Sequence, residues 1–243
     1  MLVLALDTTT RGGSIAVARA GRLLDLHEGD GSRPHAERRP GDLEVSLRRA
    51  GVGLSEVDVF AVAIGPGSFT GLRIGIAAIQ GCAFATGRPV VGVSALEAIA
   101  RAAAAAYGLA TNSRLGVWMD AQRQEVFSAL YDLVDGEDGT ALRVVEEPAV
   151  GTPDETAARW HKVLGASWCP VAGDGAVRYA PALAHAAGAP VTTLDPPPLA
   201  PAIALIAGRK ASRGEGTLPH AIRPLYVRRP DAELARDRKR ERA

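Results

Sequence analysis

Three short stretches of this chain carry residue types that can meet a phosphate. The first is Asp7-Thr8-Thr9-Thr10, directly after the apolar run Leu2 to Leu6. A carboxylate at a strand end can hold magnesium through water, and the hydroxyls that follow can donate to phosphate oxygens. The same residues can equally cap backbone groups and close a hairpin. The second is Gly65-Pro66-Gly67-Ser68-Phe69-Thr70-Gly71-Leu72-Arg73-Ile74-Gly75. Glycines after a buried strand permit a tight turn, and the unpaired N–H groups of a helix starting there can bind an anion. No Gly-Lys-Ser/Thr follows, so this is no P-loop, and the spacing is not that of the dinucleotide fingerprint. The third is Gly173-Asp174-Gly175-Ala176, which a helix start with Asp174 as N-cap already explains.

No catalytic constellation assembles from the rest. His27, His35, His161, His185 and His220 include no pair at a helical metal spacing, so no metal site is expected. Ser68 stands in Gly67-Ser68-Phe69, not in a Gly-x-Ser-x-Gly elbow. Cys82 and Cys169 fit neither a metal spacing nor a disulfide framework, which points to reduced, buried thiols. Asp120 and Glu125 flank an expected hairpin turn with Arg123 between them as their neutraliser.

These residues must be positioned by an alternation of strands and helices. Leu2 to Leu6, Ser14 to Ala18 and Leu23 to Leu26 read as a meander, with Ala20-Gly21 as one turn. A helix from Asp42 to Ala50, a buried strand from Val57 to Ile64, a helix from Thr70 to Thr86 and a strand from Pro89 to Val93 follow. Ser94 then caps a helix with Glu97 at its third position. The second half repeats the order more weakly. Strands are expected at Leu115 to Met119, Glu125 to Leu133, Leu142 to Val145 and Val171, and helices at Asp154 to Val163 and beyond Gly175. Two related α/β lobes result, over 1–108 and 109–227, with a late helix near 199–213 free to pack back on the first lobe. A charged tail covers 228–243, including Arg236, Arg238, Lys239, Arg240 and Arg242.

The helix from Thr70 to Thr86 has two apolar faces. At about 100° per residue, Leu72, Ile76, Ile79 and Ala83 share one face, and Ile74, Ala78, Gly81 and Ala85 the nearly opposite one. Only the sector of Arg73 and Gln80 is polar, and Phe84 lies in it. The larger residues suit burial on a sheet. The smaller ones let a second helix approach, either across a subunit interface or from the same chain.

Whole-chain properties narrow the class. The 243 residues are 47% hydrophobic, enough for a sizeable core. A net charge of +1 argues against an open basic surface for nucleic acid. The start lacks a basic region, and Asp7 interrupts its apolar run too early for a signal peptide. No stretch is expected to span a bilayer. A soluble cytoplasmic protein is the expectation.

Taken as one string, Gly65 to Gly75 resembles the signature of the TsaB (YeaZ) family, a relative of the actin, heat-shock ATPase and sugar-kinase superfamily. Leu4 to Thr8 looks like that family's opening strand and loop, and Val90 to Ala98 like its next strand and helix start. Met119 to Phe127 is similar to its second-lobe hairpin, and Pro224 to Arg228 to its C-terminal strand. The resemblance implies a two-lobed actin-like, ribonuclease-H-like α/β fold. It implies a catalytically silent scaffold for threonylcarbamoyl transfer to the adenosine 3′ of the tRNA anticodon. TsaD is then the direct partner and enzyme, TsaE joins through that pair, tRNA binds the assembly, and the lone chain forms a homodimer. The implied interface is Ser68, Phe69, Thr70, Gly71, Arg73, Ile74, Ala77, Ala78, Gly81 and Ala85. No cofactor is implied as tightly bound. ATP or ADP at the junction is left open, with Asp7, Thr8, Thr9, Thr10, Gly65, Gly67, Gly173, Asp174 and Gly175 as the residues near it. Two contrasts with relatives and one departure from the family stand out. Thr9 replaces the superfamily's loop glycine. Ala95 and Ile99 stand where TsaD carries two histidines. Arg38-Arg39-Pro40-Gly41-Asp42 interrupts an apolar partner helix after His35, and its proline and glycine are expected to shorten or delay that helix. The rival classes are an ATP-dependent phosphotransferase and a glycoprotease-like hydrolase.

Overall fold

Leu2–Asp7 (β1) is buried at every position and forms the centre of the first sheet. A strand covered on both faces needs a continuous apolar run, which is what the sequence supplies. The computed structural model describes residues 1–29, 39–136 and 139–228. β1 pairs antiparallel with Ser14–Arg19 (β2), and β2 antiparallel with Arg22–Glu28 (β3). On its other side β1 runs parallel to Val59–Gly65 (β4), and β4 parallel to Val90–Ser94 (β5). Arg39–Arg49 (α1) and Phe69–Thr86 (α2) cover the outer face of this sheet, and Ala95–Ala106 (α3) follows β5.

The second sheet is built the same way. Ser113–Asp120 (β6) pairs antiparallel with Val126–Gly136 (β7), and β7 antiparallel with Gly139–Gly151 (β8). Val171–Ala172 (β9) and Thr193–Leu194 (β10) extend it in parallel on the other side of β6. The orders β3-β2-β1-β4-β5 and β8-β7-β6-β9-β10 are one topology used twice, with β1 and β6 equivalent. This is the expected two-lobed actin-like, ribonuclease-H-like fold. Pro153–Leu164 (α4), Asp174–Arg178 (α5) and Ala180–Ala187 (α6) pack with the outer face of the second sheet around Trp118 and Trp160.

The largest core lies between the sheets. α3 packs on β6 and β7 of the second sheet as well as on β4 and β5, whereas Ala200–Ser212 (α7) lies across β1, β2, β4 and β5. Their alanines and isoleucines join both sheets in a single cluster with Val3, Ala61, Leu115 and Val117. Small residues on both helices let them sit side by side in the gap.

Four expectations need correction. Helix α1 starts at Arg39, ahead of Pro40 and Gly41, because proline is tolerated in a first turn whose N–H groups lack intrahelical partners. Ser94 sits at the N-cap of α3 but makes no side-chain cap bond, and Glu97 instead pairs with Lys210 of α7 at 3.2 Å. Residues 224–228 form no strand; Leu225 N–H crosses to the Ile64 carbonyl at 2.7 Å. Finally, α2 is long and apolar enough, by length and composition alone, to cross a membrane. Its Leu72, Ile76, Ile79 and Ala83 are buried on the first sheet, as the core helix of an α/β lobe requires. His35, Arg38 and the tail from 229 onward lie outside the described residues.

Candidate functional site

The loop after β1 is closed on itself. Asp7 is fully buried; its Oδ1 accepts from Thr9 N at 2.8 Å and Thr9 Oγ1 at 2.6 Å, and its Oδ2 from Thr10 Oγ1. Both carboxylate oxygens are therefore engaged by the loop's own donors. The glycines of the Gly65 to Gly75 string meet that loop. A β-carbon on Gly67 would stand 2.7 Å from Thr9 Cβ, one on Gly71 would collide with the Thr8 carbonyl oxygen, and one on Gly75 with Thr8 Oγ1. Positions four apart lie on one side of a helix, so Gly71 and Gly75, with Gly67 leading in, form a bare stripe on which Thr8 and Thr9 sit. Ser68 caps the helix by accepting from Gly71 N at 3.2 Å.

The second glycine turn works alike. Gly173 has φ 119° and, like Gly175, presses on the backbone at the end of β6, from Trp118 to Asp120. Gly173 is the N-cap of α5, and Asp174 is its first helical residue. Asp174 Oδ1 accepts from Asp120 N at 3.0 Å and Gly175 N at 2.8 Å, and burial pushes its carboxyl up from the ordinary value against those bonds. Asp174 thus fastens the turn to β6. Each of these glycine turns is packed closely, Gly67, Gly71 and Gly75 on Thr8 and Thr9, and Gly173 and Gly175 on the end of β6.

The remaining polar candidates are paired or apolar in setting. Asp120 binds Arg178 at 2.6 Å, and Glu125 binds Arg228, which also donates to the Ala121 carbonyl at 2.9 Å. The partners of this carboxylate pair thus include two arginines far along the chain. Cys82 is half-buried and Cys169 buried, and burial raises both thiols, Cys169 to about 11, so both stay protonated near neutrality. Ala95 and Ile99 are buried in the core between the lobes. Among the described residues no three of His, Cys, Asp and Glu converge on a metal-sized site.

What α2 leaves uncovered is its outer face. Ser68, Phe69, Thr70, Arg73, Ala77, Gly81, Phe84 and Ala85 are exposed, Phe84 by 83%. Ile74 and Ala78 are half-buried, because Ala78 and Cys82 pack toward the core that α1 covers. Gly71 is buried against the Thr8 loop. The bare face is thus turned from Ile74 and Ala78 toward Arg73 and Phe84. At its N-terminal end the Arg73 guanidinium lies 3.9 Å over the Phe69 ring, and Phe69 stands 5.7 Å from Tyr226. Sequence reasoning set Phe84 aside in the polar sector. Tyr226 carried no local signal, being 153 positions from Arg73.

Comparison with known proteins fits this arrangement. The family model described as TsaD: tRNA N6-adenosine threonylcarbamoyltransferase matches residues 29–154. The solved structure of YeaZ from Pseudomonas aeruginosa superposes with a TM-score of 0.76 at 34% identity, covering 93% of this chain and 99% of that one. The chain belongs to the TsaB (YeaZ) family, a branch of the TsaD family. The curated TsaB of Haemophilus influenzae is 36% identical over 127 residues, 52% of each chain, so the match spans about half the length of that relative. It is named a tRNA threonylcarbamoyladenosine biosynthesis protein, and TsaB (YeaZ) is thus a family of that biosynthesis. A more distant structure, the activator of 2-hydroxyisocaproyl-CoA dehydratase from Clostridium difficile, matches with a TM-score of 0.50 at 11% identity, which shows the fold alone.

Proposed function

We propose that this chain is a non-catalytic, cytoplasmic subunit of the machinery that makes threonylcarbamoyladenosine in tRNA, and that it docks TsaD through the outer face of α2. The observation that carries the reading is an 18-residue helix whose exposed side is Ala77, Gly81, Phe84 and Ala85, with Arg73 as its one charge. Exposing such a stripe is costly unless a second helix covers it. TsaD supplies the chemistry, TsaE joins through the TsaD pair, and tRNA is held by the assembly. Alone, the chain covers the same face with a second copy. A nucleotide at the junction is held by the partner's groups, since Asp7 is engaged by Thr9 and Thr8 packs on the α2 glycines. Against the phosphotransferase and hydrolase readings stand the closed Asp7 loop, the capping role of Ser68 and the protonated thiols.

Reconstitution tests the reading. The purified chain with tRNA, ATP and threonylcarbamoyl-AMP makes no modified adenosine until TsaD is added. Modification, ATP turnover or proteolysis by the chain alone contradicts it.

A further inference from the structure

Between the lobes lies a cavity of about 650 Å³, walled by the β5–α3 junction, by β7 and β8, and by residues 225–227. It is separate from the Asp7 and Gly173 turns, and it meets the N-terminal end of the exposed α2 face only at Tyr226, whose ring stands 5.7 Å from Phe69. Its charged lining is acidic, from Glu97 and Glu147. Glu97 has Lys210 as counter-charge at 3.2 Å, whereas among the described residues Glu147 has no ion pair. Tyr131 also lines the cavity, is only 3% exposed, and has no hydrogen-bond partner among the described residues. Burial, and then the charges of Glu97 and Glu147, push its phenol far above the ordinary range, so it stays a neutral hydroxyl. The Ser94 Oγ, on another lining residue, is buried without a partner. Buried hydroxyls left unpaired are costly, and a ligand that bonds them removes that cost.

The chemistry selects the ligand. A phosphate or carboxylate placed here would face two carboxylates at short range. A neutral alcohol would bring no charge to attract either carboxylate. A cation with an apolar body satisfies the lining, because Leu142 and Leu225 offer aliphatic wall beside the acidic groups. The volume lies within the roughly 300–1,000 Å³ usual for small-molecule sites. We propose that this cavity binds a small primary amine on a short aliphatic chain. The ammonium lies between Glu97, Glu147 and the Tyr131 phenol oxygen, and the chain lies against Leu142 and Leu225.

Titration calorimetry and amide NMR on the full chain test this, with n-pentylamine as probe and 1-pentanol and pentanoate as comparators. Saturable one-site binding of the amine is expected, about tenfold or more tighter than either comparator. Amide shifts centre on Ser94, Glu97, Tyr131 and Glu147. Glu147→Gln, at an exposed position that folding tolerates, weakens the amine by about tenfold, and Tyr131→Phe by a few-fold. Glu44→Gln, on exposed α1, changes nothing. Absence of saturation, equal binding of pentanol, shifts elsewhere on the surface, or indifference to Glu147→Gln overturns the proposal. So does a lysine-bearing peptide that binds far more tightly than the free amine.

Discussion

Thr8 is the residue on which the signature string turns. Its carbonyl fills the space beside Gly71 and its side chain the space beside Gly75. The two glycines therefore fail in different ways when given a methyl group. Gly75→Ala and Gly71→Ala each destabilise by about 1–3 kcal/mol through overpacking. Adding Thr8→Ala relieves Gly75→Ala, because it removes the colliding Oγ1 and Cγ2, and does not relieve Gly71→Ala, whose obstacle is backbone. Urea denaturation of the four variants checks this; equal rescue of both would contradict the packing assignment. A second test concerns Cys169, whose folded thiol is raised from 9.0 to about 11 by burial. A raised folded value means the folded state keeps the proton longer. The contribution is fully present below pH 9 and is lost as pH rises toward 11, about 2–3 kcal/mol in all. Cys169→Ala should flatten the alkaline slope of stability in that window. The glycine string itself was legible in the sequence, and its purpose was not. Nothing along the chain distinguishes a glycine that admits a phosphate from one that admits a threonine at the end of the neighbouring strand.

The legible elements were those with strong periodicity or unbroken burial. β1, β4 and α2 stand within two residues of the positions read from sequence, and α3 starts directly after Ser94 as read, because each carries a continuous apolar run or a helical stripe. β10 was invisible: two residues, Thr193–Leu194, carry no period. β8 is much longer than the four residues read for it, because its pairing with β7 continues through Glu146 and Ala149 across two register shifts that break the alternation. The segment from Pro224 to Arg228 was expected as a strand from its resemblance to the family's C-terminal strand. It is instead a crossing that ties β4, through Leu225, to the β6–β7 turn, through Arg228. The two faces of α2 were readable from spacing alone. Their exact rotation depended on the outer core of the first sheet, against which Ala78 packs while Ala77 stays bare.

At the scale of the molecule, α3 and α7 make two lobes into one folding unit. Each helix belongs to one lobe in sequence and packs on the sheet of the other, and Glu97–Lys210 joins them. Removing α3 strips core from both sheets, and removing α7 strips it from the first sheet and from α3, so calorimetry should show a single transition with equal van't Hoff and calorimetric enthalpies; two resolved transitions would contradict the shared core. The repeat of topology was only faintly legible, since the halves share a pattern of strands and helices and little sequence. The central claim, that this rigid scaffold presents the bare side of α2 to TsaD, is tested most directly at Gly81. That position is exposed, mid-helix, and has no atom within 4 Å of an added β-carbon. Gly81→Glu therefore replaces a poor helix former without a clash, and should leave melting temperature unchanged or raised. Ile76→Glu, on the buried face, should unfold the chain. The deciding measurement is the affinity of folded Gly81→Glu for TsaD by titration calorimetry. A loss of about a hundredfold or more, from an unpaired charge buried against the partner helix, is the predicted result; native affinity in the folded variant would contradict the account.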